Sequence, residues 1–172
     1  MRCFIALNLP MVSNILEVQK ELKNKEFFRG KFTEPENIHL TLKFLGEIDE
    51  NTISNIRLKL KNIKHKSFDS VIDEAGLFSE RIVWLTASNV LELQREIDES
   101  LSELFPKEKR FMSHITIARI KSVSDKQGLK QYLNSLKLDI KGRIESFSLI
   151  KSTLTLKGSK YQEIERFMLV DI

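Results

Sequence analysis

The chain is poor in several residue types that mark large classes of proteins. It has one cysteine, Cys3, among 172 residues, so no internal disulfide forms, which fits a reducing cytoplasm. Its six glycines and three prolines exclude collagen-like repeats and argue against a low-complexity or disordered chain. No apolar run approaches the ~18 residues of a membrane span. The opening MRCFIALNLP lacks a small-residue cleavage site and predicts a first strand instead of a signal peptide.

What the sequence does contain is an ordinary core and a small excess of positive charge. Hydrophobic residues make up 41% of the chain and charged residues 30%, enough at this length for one domain over residues 1–172. The net charge of +4 weakly favours an anionic partner such as RNA. We therefore expect a cytoplasmic monomer that does not enter a membrane.

Two apolar segments are interrupted by polar residues in the same way. NIHLTLKFLG contains His39 and Thr41, and FMSHITIARI contains His114 and Thr116. Side chains two residues apart in a strand point to the same face, so each segment directs an imidazole and a hydroxyl into one space. For a chain of this composition, two of three histidines have threonine at this spacing by chance with a probability of about 0.005. We interpret the pairs as one functional motif that occurs twice.

The predicted elements around the two motifs follow the same order. Strand, helix, loop, His-x-Thr strand, helix and strand occur in roughly residues 1–80 and again in 81–172. Each half has too few strands to be stable alone, and no linker separates them. The sequence predicts an α+β fold of two intertwined, pseudo-symmetric lobes. Each lobe has a mostly antiparallel sheet with packed helices, and the active-site groove lies between the lobes.

Element boundaries follow from periodicity and capping residues. We predict strands at 2–9, 38–45, 68–78, 81–86, 111–120, 138–149, 151–156 and 163–170, with a polar loop around Gly30 and Pro35. Asp49 is expected to cap one helix, and the capping boxes Asn89 with Glu92 and Ser124 with Gln127 are expected to begin two more.

Two histidines that face each other supply an acid and a base at once, because each titrates near neutral pH. Hydroxyls on the same face are suited to donate to a negatively charged oxygen held between them. This is the equipment for in-line displacement at phosphorus. His-x-Thr is not a zinc spacing and neither motif carries a nearby carboxylate, so we predict no metal and no cofactor. Ser113 adjoins His114 but would project to the opposite face of the strand.

The segments HLTLKFLG, HITIARI, FIALNLP and KSTLTLKGSKY resemble the 2H phosphoesterase superfamily, and within it the RNA 2′,3′-cyclic phosphodiesterases, also called 2′-5′ RNA ligases. The likeness runs over essentially the whole chain. It implies metal-independent opening of a 2′,3′-cyclic phosphate at an RNA end to leave a 2′-phosphate, together with a reversible 2′-5′ joining activity. RNA ends with such a phosphate are the implied partner.

The same resemblance implies a role for each motif residue. His39 is the proton donor to the leaving oxygen, and His114 is the acceptor from water. Thr41 and Thr116 hold the phosphate, and Arg119 occupies the position five residues after the second histidine where family members often have arginine. The spacing itself does not decide which histidine is the acid.

Several residues have two interpretations at this stage. Lys43 shares the strand face of His39, so it either reaches a phosphate or faces solvent at the rim of the groove. Arg119 is out of phase with His114 and needs a bulge to join the site. His65 is expected to be a solvated surface residue. The basic run 57–66 is either a solvated helix face or a contact for an RNA backbone.

Two other functions remain open from the sequence. The first is an RNA-end binding module without turnover. The second is a 2H enzyme that acts on another cyclic nucleotide or on a 2′-5′ oligonucleotide. Tyr161 or one of the eleven phenylalanines is a candidate to stack on a terminal base.

Overall fold

Nine strands form one antiparallel sheet in residues 1–171, the part of the chain that this computed structural model describes. The strands are Arg2–Leu7 (β1), Phe28–Phe32 (β2), Leu40–Glu47 (β3), Phe68–Phe78 (β4), Ile82–Ala87 (β5), Ile115–Val123 (β6), Ile140–Ile144 (β7), Ser146–Thr155 (β8) and Gly158–Met168 (β9). The helices are Val12–Asn24 (α1), Glu50–Lys61 (α2), Leu91–Ser100 (α3) and Lys126–Ser135 (α4), with a 3₁₀ turn at Pro35–Asn37. These residues include no helix with the length and hydrophobicity that a bilayer crossing demands.

The nine strands of the sheet divide into a group of four and a group of five. The first lobe has the order β3-β1-β8-β9, and the second lobe has the order β7-β4-β5-β6, with β2 paired to the outer part of β6. The groups meet at one residue pair, Leu40 with Ile115. Strand β4 ends the first half of the chain but pairs in the second lobe, and β8 returns from the second half to pair with β1. The predicted bilobal α+β class is confirmed.

The helices pack across the same division. Helix α1 contacts β6 of the second lobe, and α3 contacts β3 of the first lobe. The buried stripe of α1 consists of Ile15, Val18, Gln19 and Leu22, which follow the spacing of one helix face. Burying an aliphatic side chain of this size contributes roughly 1.5–3 kcal/mol. Helix α1 follows a strand of the first lobe and α3 follows a strand of the second, so each packs on the lobe opposite to the strand before it.

One of the three predicted helix starts is confirmed. The Asp49 side chain accepts a hydrogen bond from the Thr52 backbone N–H and caps α2. The Asn89 box is wrong, because Asn89 has a left-handed backbone (φ 65°) and its amide donates to the Asp69 carbonyl. The Ser124 box is wrong by one residue: Asp125 caps α4 by accepting from the Gly128 N–H.

Several predicted strand bounds and one predicted loop differ from the structure. Segment 138–149 is not one strand but breaks at Glu145, because β7 pairs with β4 while β8 pairs with β1 in the other lobe. Strands 151–156 and 163–170 are longer than predicted and pair as one hairpin, β8 and β9, whose turn places Gly158 at φ 114°. The predicted loop around Gly30 contains β2. An added Cβ at Gly30 would collide with the Arg119 carbonyl, so glycine permits this pairing.

Candidate active site

Each motif histidine stands immediately before its strand. His39 precedes Leu40, the first residue of β3, and His114 precedes Ile115, the first residue of β6. Leu40 and Ile115 are an antiparallel pair and are fully buried. In that register the flanking residues also face each other, His39 with Thr116 and Thr41 with His114. All four therefore lie on the sheet face opposite to the one that Leu40 and Ile115 bury.

These four side chains line a groove of about 700 Å³ between the lobes, which we call the catalytic groove after its proposed role. Three cationic side chains and one carboxylate share it: Arg2, Lys31, Arg119 and Glu34. The excess of positive charge suits an anionic ligand. In residues 1–171, no cluster of three His, Cys, Asp or Glu side chains has an arrangement that would hold a metal ion.

The two imidazoles are held by the same backbone contact. His39 Nδ1 lies 2.7 Å from the Asn37 carbonyl oxygen, and His114 Nδ1 lies 3.0 Å from the Met112 carbonyl oxygen. A carbonyl oxygen only accepts, so Nδ1 carries the proton and donates in both rings. In the neutral ring Nε2 is then the basic atom. Nε2 of His39 lies 2.9 Å from Thr41 Oγ1, within the motif.

The surroundings of the two rings differ. Phe4 and Tyr161 pack against His39, with ring centroids 4.9 Å and 5.2 Å away. Of the described rings, only Phe78 packs against His114, at 5.4 Å. Burial lowers the pKa of His39. The positive charges of His114 and Arg119 act in the same direction, while the hydrogen bond to Asn37 opposes the shift.

A β-bulge brings Arg119 to the groove face. Strand β5 pairs Val83 with Ala118 and Trp84 with Thr116, which leaves Ile117 without a partner on that strand. Ile117 and Ala118 are consecutive and both fully buried, so the alternation shifts by one residue. Thr116 and Arg119 consequently both line the groove. The structure contains the bulge that the sequence argument required.

Comparison with known proteins identifies the family. The sequence matches the family described as LigT like phosphoesterase twice, over residues 8–84 and 85–161. The chain belongs to the LigT-like phosphoesterases. This confirms the predicted 2H phosphoesterase membership, and the two consecutive matches each contain one His-x-Thr motif.

Relatives and solved structures of the family cover nearly the whole chain. A protein of Methanocaldococcus jannaschii named RNA 2′,3′-cyclic phosphodiesterase is 35% identical over 97% of this chain and 100% of its own length. A protein of the same name from Methanothermobacter thermautotrophicus is 30% identical over 98% of each chain. The crystal structure of the Thermus thermophilus protein TT0787 superposes with a TM-score of 0.83 at 28% identity, over 98% of each chain.

Lys43 does not reach the groove of this LigT-like phosphoesterase. Strand β1 pairs Ile5 with Lys43 and Ala6 with Thr41, so Leu42 is the extra residue of a second bulge. The bulge turns Lys43 into the interior, where it is 2% exposed. Its Nζ lies 2.5 Å from Asp98 Oδ1 and donates to the Pro106 carbonyl at 2.8 Å. Both interpretations of Lys43, phosphate contact and rim residue, are wrong.

The same bulge places Phe44 in the groove with 67% of its surface exposed. Sequence reasoning did not single out Phe44, Phe4 or Lys31, all of which line the groove. Lys31 Nζ donates to the Lys157 carbonyl at 2.9 Å, which joins β2 of the second lobe to the tip of the β8–β9 hairpin. No local pattern predicts these positions, since each depends on a partner strand distant in the sequence.

Two remaining residues can be placed. The Ser113 hydroxyl donates to the Ala87 carbonyl at 2.7 Å, and Ser113 does not line the groove. His65 is not a solvated residue: its side chain is 11% exposed, its Nδ1 lies 3.0 Å from Glu96 Oε1, and its ring packs on Phe68.

Proposed function

We propose that this LigT-like phosphoesterase hydrolyses RNA 2′,3′-cyclic phosphate ends to 2′-phosphates, with His39 and His114 as the acid–base pair. The observation that carries the proposal is the Leu40–Ile115 register, which aligns two histidines and two threonines on one face of a cationic groove. The relatives named RNA 2′,3′-cyclic phosphodiesterase support the substrate. The proposal includes a cytoplasmic location and a monomeric state. Size-exclusion chromatography with light scattering tests the monomeric state.

In the proposed reaction the phosphorus atom lies between the two imidazoles. His114 Nε2 accepts a proton from water as the water oxygen bonds to phosphorus. The bond from phosphorus to the ribose 3′-oxygen breaks, and His39 donates the proton that this oxygen takes up. The histidines end with exchanged protonation states, and proton exchange with solvent restores them.

His39 must therefore carry a proton on Nε2 when the substrate is bound. Burial lowers its pKa, which makes the protonated ring a stronger acid but keeps it neutral in most free molecules at neutral pH. The negative charge of a bound phosphate favours the imidazolium and raises that fraction. The Asn37 carbonyl, which accepts from Nδ1, keeps Nε2 aimed at the groove in both protonation states.

Thr41 and Thr116 are proposed to donate to the non-bridging phosphate oxygens, and Arg119 to offset their charge. Charge on these oxygens redistributes during displacement, so hydroxyl donors already in place stabilise the transition state. Each proton-transfer group is expected to contribute roughly 10²–10⁴-fold to the rate. No step of this scheme requires a metal ion.

The proposal extends to 2′-5′ joining. If the 5′-hydroxyl of a second RNA takes the position of water, the same transfer of protons forms a 2′-5′ phosphodiester and again releases the 3′-oxygen. The same two histidines therefore serve hydrolysis and ligation, and the concentrations of water and RNA ends decide between them.

The test is incubation of the protein, in EDTA, with a short RNA ending in a 2′,3′-cyclic phosphate, followed by identification of the product. A 2′-phosphate supports the proposal, and a 3′-phosphate contradicts the assigned leaving oxygen. Tight binding without turnover indicates a binding module. Turnover only of a free cyclic nucleotide or a 2′-5′ oligonucleotide indicates a different substrate. Loss of activity in EDTA that added Mg²⁺ or Mn²⁺ restores contradicts metal independence.

A further inference from the structure

A second concave surface lies beside the catalytic groove. It is formed by helix α1, strand β2 and the end of β6, and we call it the shoulder pocket. Its volume is about 1000 Å³, larger than the 700 Å³ of the catalytic groove. That is the upper end of the range for pockets that hold a small ligand. The proposed chemistry gives the shoulder pocket no role.

The shoulder pocket is continuous with the catalytic groove. Residues 31–34 line both concavities. The Thr33 hydroxyl donates to the Thr116 carbonyl at 2.9 Å, so this shared boundary is anchored to β6 beside a motif residue. A ligand that is held at the motifs and extends past residues 31–34 therefore enters the shoulder pocket directly.

The charge of the shoulder pocket favours an anionic chain. Lys20, Lys23 and Arg29 line it and are exposed, and within residues 1–171 none of them forms an ion pair. With Lys31 the pocket has four cations against two carboxylates, Glu26 and Glu34. Unpaired cations along a groove are the usual contacts for a phosphate backbone.

The basic run 57–66 is different in this respect. Arg57 and Lys61 pair with Glu165, and Lys59 pairs with Glu103. None of the residues of this run lines the catalytic groove or the shoulder pocket. These pairings favour its interpretation as a solvated helix face.

The shoulder pocket also offers aromatic surface. The rings of Phe28 and Phe32 stack on each other with centroids 5.6 Å apart and an interplanar angle of 29°. Both side chains are only partly buried and line the pocket. An aromatic face between cations is the arrangement with which proteins bind single-stranded nucleic acid, because every base has a face that stacks.

We propose that the shoulder pocket binds the nucleotides on the 5′ side of the reacting RNA end, with bases on the Phe28–Phe32 pair and phosphates near Lys20, Lys23 and Arg29. This inference rests on the proposed function, and it makes the preferred substrate an oligoribonucleotide end instead of a free cyclic nucleotide. The continuity with the groove, the unpaired cations and the stacked rings each favour single-stranded RNA as the occupant.

The experiment compares kcat/KM for a dinucleotide and an octanucleotide that both end in a 2′,3′-cyclic phosphate. The variant is K20Q/K23Q/R29Q, and its matched control, K64Q/K66Q/K137Q, removes three exposed cations that line neither concavity. The wild type and the control should prefer the octanucleotide. The shoulder variant should lose about tenfold or more on the octanucleotide, since three phosphate contacts are gone, and little on the dinucleotide.

Phe28 provides a separate test of stacking. F28A should weaken kcat/KM for the octanucleotide by about fivefold or more, and F28Y, which keeps an aromatic face, should restore it. If F28Y is as defective as F28A while both remain folded by circular dichroism, stacking at this position is contradicted.

Binding gives a readout that does not need turnover. Fluorescence anisotropy with an octanucleotide ending in a 2′-phosphate should show a salt slope, log K against log [salt], that is smaller by about 2 in the shoulder variant than in wild type or control. If the wild type hydrolyses neither substrate, the proposed hydrolysis is contradicted. If the salt slope still differs between wild type and the shoulder variant, the proposed RNA binding in the shoulder pocket is nevertheless supported. The inference is overturned if the shoulder variant shows both an unchanged salt slope and an unchanged preference for the octanucleotide. That result is expected if the pocket binds an acidic protein and not RNA.

Discussion

Residues at equivalent positions in the two repeats have acquired different surroundings. Both motif histidines donate from Nδ1 to a carbonyl two residues earlier. His39 nevertheless lies against two aromatic rings, while His114 contacts one. The difference arises from the packing of β1 and β9 around the first motif and not from the motif itself. It gives the two proposed proton-transfer groups unequal environments.

The first prediction concerns the histidines. His39→Ala and His114→Ala should each lower kcat by at least about 100-fold, because each removes one proton-transfer group. Replacement by asparagine should be as severe, since the amide fills the space but does not titrate. The far-ultraviolet circular dichroism of each variant should match the wild type. A variant with near wild-type kcat would refute the role of that histidine.

The second prediction is a pH dependence. The pKa of His39 is lowered by burial, so the unfolded chain binds a proton at this site more readily than the folded chain. The stability that neutral His39 contributes is present above the ordinary pKa of about 6.5 and is lost as the pH falls through the lower folded pKa. Urea denaturation should show a smaller loss of stability between pH 7.5 and 5 in His39→Gln than in wild type.

Proton NMR supplies the direct check on this sign. The ring resonance of His39, assigned by its absence in His39→Gln, should titrate below pH 6.5 in the free protein. A midpoint at or above 6.5 would contradict the effect of burial.

The third prediction concerns the threonines. Thr41→Val and Thr116→Val keep the shape but remove the hydroxyl, so they should raise KM and lower kcat less than the histidine variants do. Thr→Ser at each position retains the hydroxyl and should stay close to wild type. Unchanged KM and kcat in the valine variants would show that the hydroxyls do not hold the phosphate.

At the level of elements, the two motif strands carry matching bulges. Leu42 and Ile117 each lie three residues after a motif histidine and each lack a partner on the neighbouring strand. The bulges put Phe44 and Arg119, the residues five after each histidine, at the groove. One repeat therefore presents an aromatic ring where the other presents a guanidinium, so the groove is asymmetric although the topology is nearly symmetric.

The fourth prediction concerns the buried ion pair between Lys43 and Asp98, which the bulge at Leu42 creates. Asp98 on α3 accepts from Lys43 Nζ through Oδ1 and from the Glu108 backbone N–H through Oδ2. Lys43→Met leaves the buried carboxylate without its cation and should cost about 3–5 kcal/mol of unfolding free energy in urea. The double variant K43M/D98N, which also removes the anion, should be more stable than Lys43→Met alone. A cost below about 1 kcal/mol would contradict an uncompensated buried charge.

For the whole molecule, the main feature is that the two lobes exchange strands. Strand β4 follows the first motif in the chain but pairs in the second lobe, and β8 follows the second motif but pairs in the first. Helices α1 and α3 also pack across the division. Each lobe therefore contains strands from both halves of the chain, and the single domain over residues 1–172 stays a prediction.

The fifth prediction is that residues 1–172 unfold as one unit. The fluorescence of Trp84 reports on β5 in the second lobe, and circular dichroism reports on the whole sheet. Their urea transitions should coincide, and separate polypeptides 1–80 and 81–172 should not fold alone. Two resolved transitions, or a folded half, would contradict the single domain.

Local signals in the sequence were sufficient for the features that depend on neighbouring residues. His-x-Thr places two side chains on one strand face because alternation is a property of the backbone, and Asp49 caps α2 because its carboxylate reaches an N–H three residues on. Helix stripes such as Ile15 with Leu22 follow from 3.6 residues per turn. The repeat of these local signals predicted the α+β class and the residues that the register brings together, and the resemblance of the motif segments predicted the family.

Features that depend on a partner strand far away in the sequence could be established only from the folded chain. The extra residue in β3 turned Lys43 inward and Phe44 outward, and the pairing of β6 with β2 made a strand of a segment without a strand pattern. Asn89 does not cap a helix as predicted, because its side-chain amide donates to the Asp69 carbonyl of another strand. Pairing between strands satisfies the backbone hydrogen bonds of the whole sheet. Where a bulge allows more of these bonds to form, it also shifts the alternation of side chains between the two faces of the strand.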